Sequence, residues 1–491
     1  MSFQSYEFIL LFLPILLIGY YGSNKTGKPK AGILFLTAMS LWFYGRYGIA
    51  YLLLLAVSIS VNQLLVCGME KVKKAGRRVL FVLALSFHIG LLLYFKYCDF
   101  FIENINRACK TDFALLELAL PVGISFYTFR QLAYVIDCFK GKTKPYPFLE
   151  YAAFALFFPL MIQGPIARYD EVIGQFRDEE RKKLSYVHLS RGFYAFTKGL
   201  AKKVLLADTL APMVNMVFTD LWKGDSTYLF MGALFYTFQI YFDFSGYCDM
   251  AYGIGQMLHL DLPINFNSPY KAESVSAFWD RWHMTLTKFF TTYVFIPLGG
   301  SRRGMLRTCL NTMLVFLVSG FWHGANWTFV LWGAINGAFL IVERLFGKWL
   351  AKIPKVIRIG VTFGITIFLW GVFRVPSVAH AKVLMMRIFE GSFGPVSTKF
   401  TDYFNELTEV RLLQRFGFGG LVEAYPALPL LVFTLLCFVI VWCFKNTKEK
   451  TEAFTFDGTK KYGLQLVGTI VLFTWSVISL SEISEFIYLN F

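Results

Sequence analysis

The sequence predicts an all-α protein that crosses a membrane many times, and three observations carry that prediction. First, the 491 residues are 56% hydrophobic and 19% aromatic but only 16% charged, with a mean hydropathy of +0.52, far from the balance of a soluble domain. Second, apolar runs recur from end to end with no long polar block, so the chain reads as one polytopic domain despite its length. Third, the cations sit in short loops between those runs. The excess of 48 Lys and Arg over 32 Asp and Glu, a formal charge of +16, therefore reflects the basic bias of cytoplasmic loops and not a nucleic-acid partner.

A span needs about 20 apolar residues, fewer inside a bundle. By that measure the candidates are Tyr6 to Tyr21, Gly32 to Tyr44, Ile49 to Val66, Val79 to Tyr97, Leu118 to Ile136, Val187 to Leu206, Tyr228 to Leu258, Cys309 to Trp322, Trp327 to Val342, Ile357 to Phe373, Leu428 to Phe444 and Leu464 to Leu480. The opening MSFQSYEFILLFLPILLIGYYG lacks a basic lead-in and a small-residue cleavage site, so it is expected to remain as the first helix.

Loop charge sets the expected orientation. Lys25, Lys28 and Lys30 follow the first span, Lys71, Lys73, Lys74, Arg77 and Arg78 the third, and Lys140, Lys142 and Lys144 the fifth. The segment after the fourth carries Asp99, Glu103, Asp112 and Glu117 against Arg107 and Lys110. That alternation puts the N-terminus outside and the lysine-rich turns, including Lys445 to Lys461, in the cytoplasm. The last span then carries the ending SEISEFIYLNF back out.

Two segments depart from a plain span. Tyr146 to Asp170 is interrupted by Pro147, Pro159, Gly164 and Pro165; prolines at that density break helices, and irregular backbone at membrane depth needs a cover of protein or water. In Ala272 to Tyr293, Trp279, His283, Leu286 and Phe290 fall at i, i+4, i+7 and i+11. That spacing predicts an amphipathic helix lying at the cytoplasmic interface, with its tryptophans at headgroup depth.

Of six histidines, two stand out. His323 lies between Gly320 and Gly324 in GFWHGANW, in a span that climbs from the basic turn Arg302 to Arg307. Its distance from that turn sets it in the middle or outer half of the bilayer, whereas His283 precedes the turn and belongs to the cytoplasmic side. An ionisable group at such depth is functional by default, with a structural role as the alternative for both; for His283 that alternative weighs equally, because an interfacial histidine can simply hold lipid or a carboxylate. Asn326, three residues on, shares the face of His323 if the helix continues. His88, in the fourth span, is expected to bond a neighbouring helix. Asp243 and Asp249 interrupt an apolar run, and a structural ion pair with Arg281 or a lysine weighs equally with substrate handling. The eight cysteines form no CxxC pair and no zinc spacing, so free buried thiols are expected and a metal is not. No GxSxG, P-loop or HExxH is present.

The ordered runs FFPLMIQGPIARY, YFDFSGYCDMAYGIGQMLHL, INFNSPY, FWDRWHMTLTKFF, YVFIPLGGSR and GFWHGANWTFVLWGAINGAF, with the ending EFIYLNF, resemble the membrane-bound O-acyltransferases (MBOAT) over nearly the whole chain. The likeness is to the bacterial branch that acylates cell-surface polymers, closest to alginate O-acetylation and less close to teichoic acid D-alanylation. It implies a single embedded domain over 1–491, with peripheral helices over 1–117, a catalytic core over about 118–345 enclosing a tunnel, and C-terminal helices over 346–491. It further implies His323 as catalytic histidine, His283 as second signature histidine, and an acyl donor entering from the cytoplasm to meet an acceptor hydroxyl from outside.

On this reading His323 is the general base and His283 serves the donor side, with Trp279, Arg281, Trp282, Trp322, Asn326 and Asp243 as substrate contacts. Asn326 or a backbone N–H is the expected oxyanion donor, and the tryptophans exclude water. No bound cofactor is expected. The donor thioester, acetyl-CoA or an acyl carrier protein, is a substrate; a polysaccharide or an extracytoplasmic relay protein accepts the acyl group. The alternatives are D-alanyl transfer and a polysaccharide exporter whose histidines line a path.

Overall fold

A computed structural model of the chain describes residues 1–454, 460–480 and 487. Segment 455–459 and, apart from Ile487, the ending 481–491 lie outside the described residues, and with them the expected placement of SEISEFIYLNF outside. Every regular element described is helical; the only extended pairing described is an isolated bridge between Phe266 and Trp282.

Among the described residues, six helices are long and apolar enough to cross a membrane: Glu7–Lys25, Ile49–Lys71, Lys74–Cys109, Met305–His323, Trp327–Leu350 and Lys355–Arg374. Thr408–Ala424 and Leu428–Cys443, bent by 99° at their junction, make a seventh if taken as one span. The other expected spans take different forms. Ala31–Gly45 and Tyr462–Ile478 are shorter apolar helices. Tyr186–Ala201, continued by the π-helical turn Lys202–Ala207, and Ser226–Met257 form the centre. Ser226–Met257 is buried along most of its length, so it carries Tyr236, Gln239, Asp243 and Ser245 where a lipid-facing helix would carry aliphatic residues.

The two central helices touch backbone to backbone. A methyl on Gly246 would lie 2.8 Å from the carbonyl oxygen of Gly199, and one on Gly253 2.7 Å from that of Gly192. Small residues seven apart on both helices thus allow the close approach that drives helix association in lipid, where no hydrophobic force acts between helices.

The span expected over Leu118 to Ile136 does not form as such. Residues 111–120 run without helix, and the helix Ile124–Phe139 starts only after Gly123, whose φ of +74° suits glycine. The Asp99 carboxylate accepts the N–H groups of Leu116 (2.7 Å) and Glu117 (3.0 Å), holding the segment to the preceding helix. The proline-rich stretch is irregular as expected: short helices Phe148–Ala155, Phe158–Met161 and Tyr169–Phe176 are joined by buried turns. Neighbouring helices cover this backbone, which satisfies the condition for irregular structure at membrane depth.

The expected interfacial helix over Ala272 to Tyr293 is contradicted. It is two short helices, Val275–Trp279 and Met284–Phe290, broken at His283 with φ +45°, and Phe278, Trp282 and His283 are buried. The period that suggested one amphipathic face arises from packing on several partners. All eight cysteines are free, but only Cys138, Cys248 and Cys437 are buried; Cys67, Cys98 and Cys309 are half-buried, and Cys109 and Cys443 are exposed.

Candidate active site

His323 is the last residue of Met305–His323. The chain then turns through Gly324 in extended conformation, and the next helix, Trp327–Leu350, runs back along the first. The pair is tight because a methyl on Gly320 would lie 3.3 Å from Gly333 Cα. A helix end leaves its last carbonyls without intrahelical partners. Here Lys96 Nζ donates to the carbonyls of Trp322 (2.7 Å) and His323 (3.0 Å), and the Tyr97 hydroxyl donates to that of Phe321 (2.9 Å). A cation at a helix C-terminus is favourable, and the ammonium also fixes the backbone that aims His323. Lys96 escapes the sequence reading, although a lone lysine inside the apolar run LLLYFKY is a signal of its own.

His283 is positioned from the other side by Asn265 of INFNSPY. Asn265 O accepts from Met284 N (3.0 Å), while its Oδ1 accepts from Thr285 N (3.2 Å) and Thr285 Oγ1 (2.6 Å). A backbone N–H can only donate, so the amide oxygen faces this turn. His283 Nδ1, 3.3 Å from that oxygen, therefore carries the proton. The opposite nitrogen, Nε2, is then a bare acceptor, buried and without a hydrogen-bond partner among the described residues.

The two imidazoles meet at one indole. Trp322 has its ring centroid 6.2 Å from that of His283 and 4.9 Å from that of His323. The inward turn at His283 thus brings the two histidines, set apart by the basic turn in the sequence, to one centre. Trp332 (5.3 Å) and Phe373 (5.4 Å) close on His323, and Phe244 (4.8 Å) on His283. The indole N–H groups of Trp322, Trp332 and Trp370 are buried without an acceptor among the described residues. Indole nitrogen only donates, so Trp322 and Trp332 offer donors next to His323, and His283 Nε2 offers an acceptor next to Trp322.

The remaining candidates divide. Trp279 donates to Asn336 Oδ1 (3.1 Å), and Asn336 Nδ2 donates to the Trp332 carbonyl (2.8 Å), so Trp279 ties its short helix to Trp327–Leu350. Trp282 packs on Trp370 with centroids 4.7 Å apart. Asn326 does not share the face of His323, because the helix ends first. It caps the next helix, accepting from Thr328 N (3.0 Å) and donating to Pro376 O (2.8 Å), so its amide is held at that helix start. Asp243 takes a lysine and not Arg281 as partner: Lys203 Nζ lies 2.6 Å away, with Asp208 on the same ammonium at 2.8 Å, and Ile487 N–H donates to Asp243 at 3.1 Å. Asp249 likewise pairs with Lys202 at 2.6 Å. Arg281 is half-buried, its carbonyl accepting from Asn267 N (2.9 Å) beside the Phe266–Trp282 bridge.

The membrane-bound O-acyltransferase family model matches residues 38–388. The peptidoglycan O-acetyltransferase of Helicobacter pylori is 35% identical over an alignment of 524 residues that covers 100% of this chain and 97% of the relative. The probable alginate O-acetylase AlgI of Pseudomonas aeruginosa is 35% identical over 438 residues, 87% of this chain and 81% of the relative. A teichoic acid D-alanyltransferase from Streptococcus thermophilus is 28% identical over 242 residues, 47% of this chain and 58% of the relative. With a helical membrane fold, a family match across most of its length and full-length relatives at this identity, the chain belongs to the membrane-bound O-acyltransferase family and is a multi-pass O-acyltransferase.

Proposed function

We propose that the protein resides in the bacterial inner membrane and moves an acetyl group from a cytoplasmic thioester, acetyl-CoA or an acyl carrier protein, to a hydroxyl of a cell-surface or exported glycan, directly or through an extracytoplasmic relay protein. The observation that carries this reading is the convergence of two buried histidines on Trp322, among indole N–H groups that lack acceptors. The acetyl and glycan parts rest on the names of the relatives aligned over most of this chain, peptidoglycan O-acetyltransferase and alginate O-acetylase; the D-alanyl relatives align over less than half of it.

In this reading His323 takes the proton of the acceptor hydroxyl as its oxygen attacks the thioester carbonyl. The carbonyl oxygen gains negative charge, and the N–H groups of Trp322 and Trp332 replace Asn326 as its donors. The C–S bond then breaks, and the leaving thiolate recovers the proton from the imidazolium. His283 Nε2, which only accepts, holds an N–H or O–H of a substrate at the same centre. The enclosing rings exclude water, so that the thioester is transferred and not hydrolysed.

The test is transfer by purified protein from isotopically labelled acetyl-CoA, or an acetyl-loaded carrier, to peptidoglycan fragments and to uronate oligosaccharides. Labelled ester on either glycan is expected. D-alanyl transfer from a loaded carrier, with no acetyl transfer from either donor, would overturn the acetyl assignment.

A further inference from the structure

A cavity of about 790 Å³ lies between the central helices and the C-terminal ones. That is the size of a pocket that encloses a small organic ligand. Its body is mostly hydrocarbon, walled by residues such as Leu413, Phe418, Leu421, Phe433, Leu436 and Ile440 of the bent pair, and the one carboxylate among the described lining residues, Glu409, accepts from Trp475 Nε1 (3.2 Å). Its mouth is basic: Lys198, Lys202, Lys445 and Lys450 line it beside Asn446 and Thr447. Lys202 is neutralised by Asp249. Lys198 and Lys450 have no carboxylate partner among the described residues and lie instead over the rings of Tyr194 (5.5 Å) and Phe444 (4.0 Å). Lys198, Lys202 and Lys450 repel one another across the mouth, and Lys271 adds to the field at Lys450.

We infer that this cavity is a binding site for one anionic phospholipid. Crowded cations at a membrane surface call for a diffuse negative partner, and basic pockets between transmembrane helices on the cytoplasmic side take anionic headgroups. The lysines cluster where Leu428–Cys443 ends, and that 16-residue helix extends along the apolar body for about 24 Å. Headgroup chemistry thus lies at one end and acyl-chain chemistry along the rest. A thioester donor fits less well, because the amide groups of a pantetheine arm would face leucine and phenylalanine without partners. The lipid would fill the space between the C-terminal helices and Tyr241, itself 6.2 Å from the Trp282 ring.

The experiment is native mass spectrometry of the full-length protein extracted from vesicles of equimolar phosphatidylglycerol and phosphatidylcholine, read as the lipid retained per chain. One phosphatidylglycerol in preference to phosphatidylcholine is expected, with the preference falling by a factor of about 30 in Lys198→Gln/Lys450→Gln, at the usual worth of two surface lysines. Should that variant fail to fold, Leu436→Trp, which fills the apolar body and leaves the lysines, should lose the bound lipid. Equal retention of the two lipids by the wild type, no effect of either variant, or release of the lipid by added coenzyme A would each overturn the assignment.

Discussion

His88 and His283 are equally buried, at 0% and 1% exposure, yet their surroundings differ in kind. At His88 polar groups hand hydrogen bonds from helix to helix. Nε2 lies 2.8 Å from Asn62 Oδ1, Asn62 Nδ2 donates to the Tyr151 hydroxyl, that hydroxyl reaches Gln131 Oε1 at 3.4 Å, and Gln131 Nε2 donates to Ser58 Oγ at 3.0 Å. The chain of bonds stitches Ile49–Lys71, Lys74–Leu92, Ile124–Phe139 and Phe148–Ala155 together and leaves only His88 Nδ1 unmatched in its ring. At His283 the bonding stops, among the described residues, at Nε2, and at the N–H of the neighbouring Trp322. Burial alone therefore does not mark a site in a membrane protein; a cluster of unused bonding capacity does.

The sharpest way to break this comparison is to remove the proposed base. His323→Ala should lower acyl transfer by a factor of about 10² to 10⁴ while the protein inserts and elutes as the wild type does, because the carbonyls held by Lys96 and Tyr97 are untouched. Wild-type turnover by the folded variant would remove His323 as base. Next in size is Trp332→Phe, which keeps an aromatic ring and deletes the N–H. A loss of about 10²-fold in kcat with little change in donor KM is expected of an oxyanion donor; a change in KM alone would make Trp332 part of the binding wall. The smallest effect on chemistry belongs to His88→Leu. It leaves Asn62 Oδ1 without its partner and should cost about 1–3 kcal/mol of stability, read as earlier thermal aggregation, with kcat per folded molecule unchanged. A kcat loss there would blur the distinction between the two clusters.

The helical class is legible in the sequence because lipid imposes one composition on every helix that faces it, as in Lys74–Cys109, of which 17% of the most apolar window is buried. His88 and His323 stand out against that background for the same reason. The break at His283 is not legible, since a positive φ at a residue other than glycine is held by tertiary bonds, here those of Asn265. Period alone cannot separate such a buried turn from a surface helix. Asn326 misleads because helix continuation past His323 is a local guess, and Gly324 with the cap on Thr328 decides it. Lys96 is visible as a solitary cation, but its target, the end of another helix, is set by packing between segments more than 200 residues apart.

The most direct test of the central claim, that both histidines act at one centre about Trp322, is a double-mutant cycle on single-turnover acyl transfer by purified His283→Gln, His323→Gln and the double variant. Groups that act as a unit are non-additive, so the double variant is predicted to lose no more than the worse single one. Losses that multiply would place the two histidines at independent steps and contradict the account.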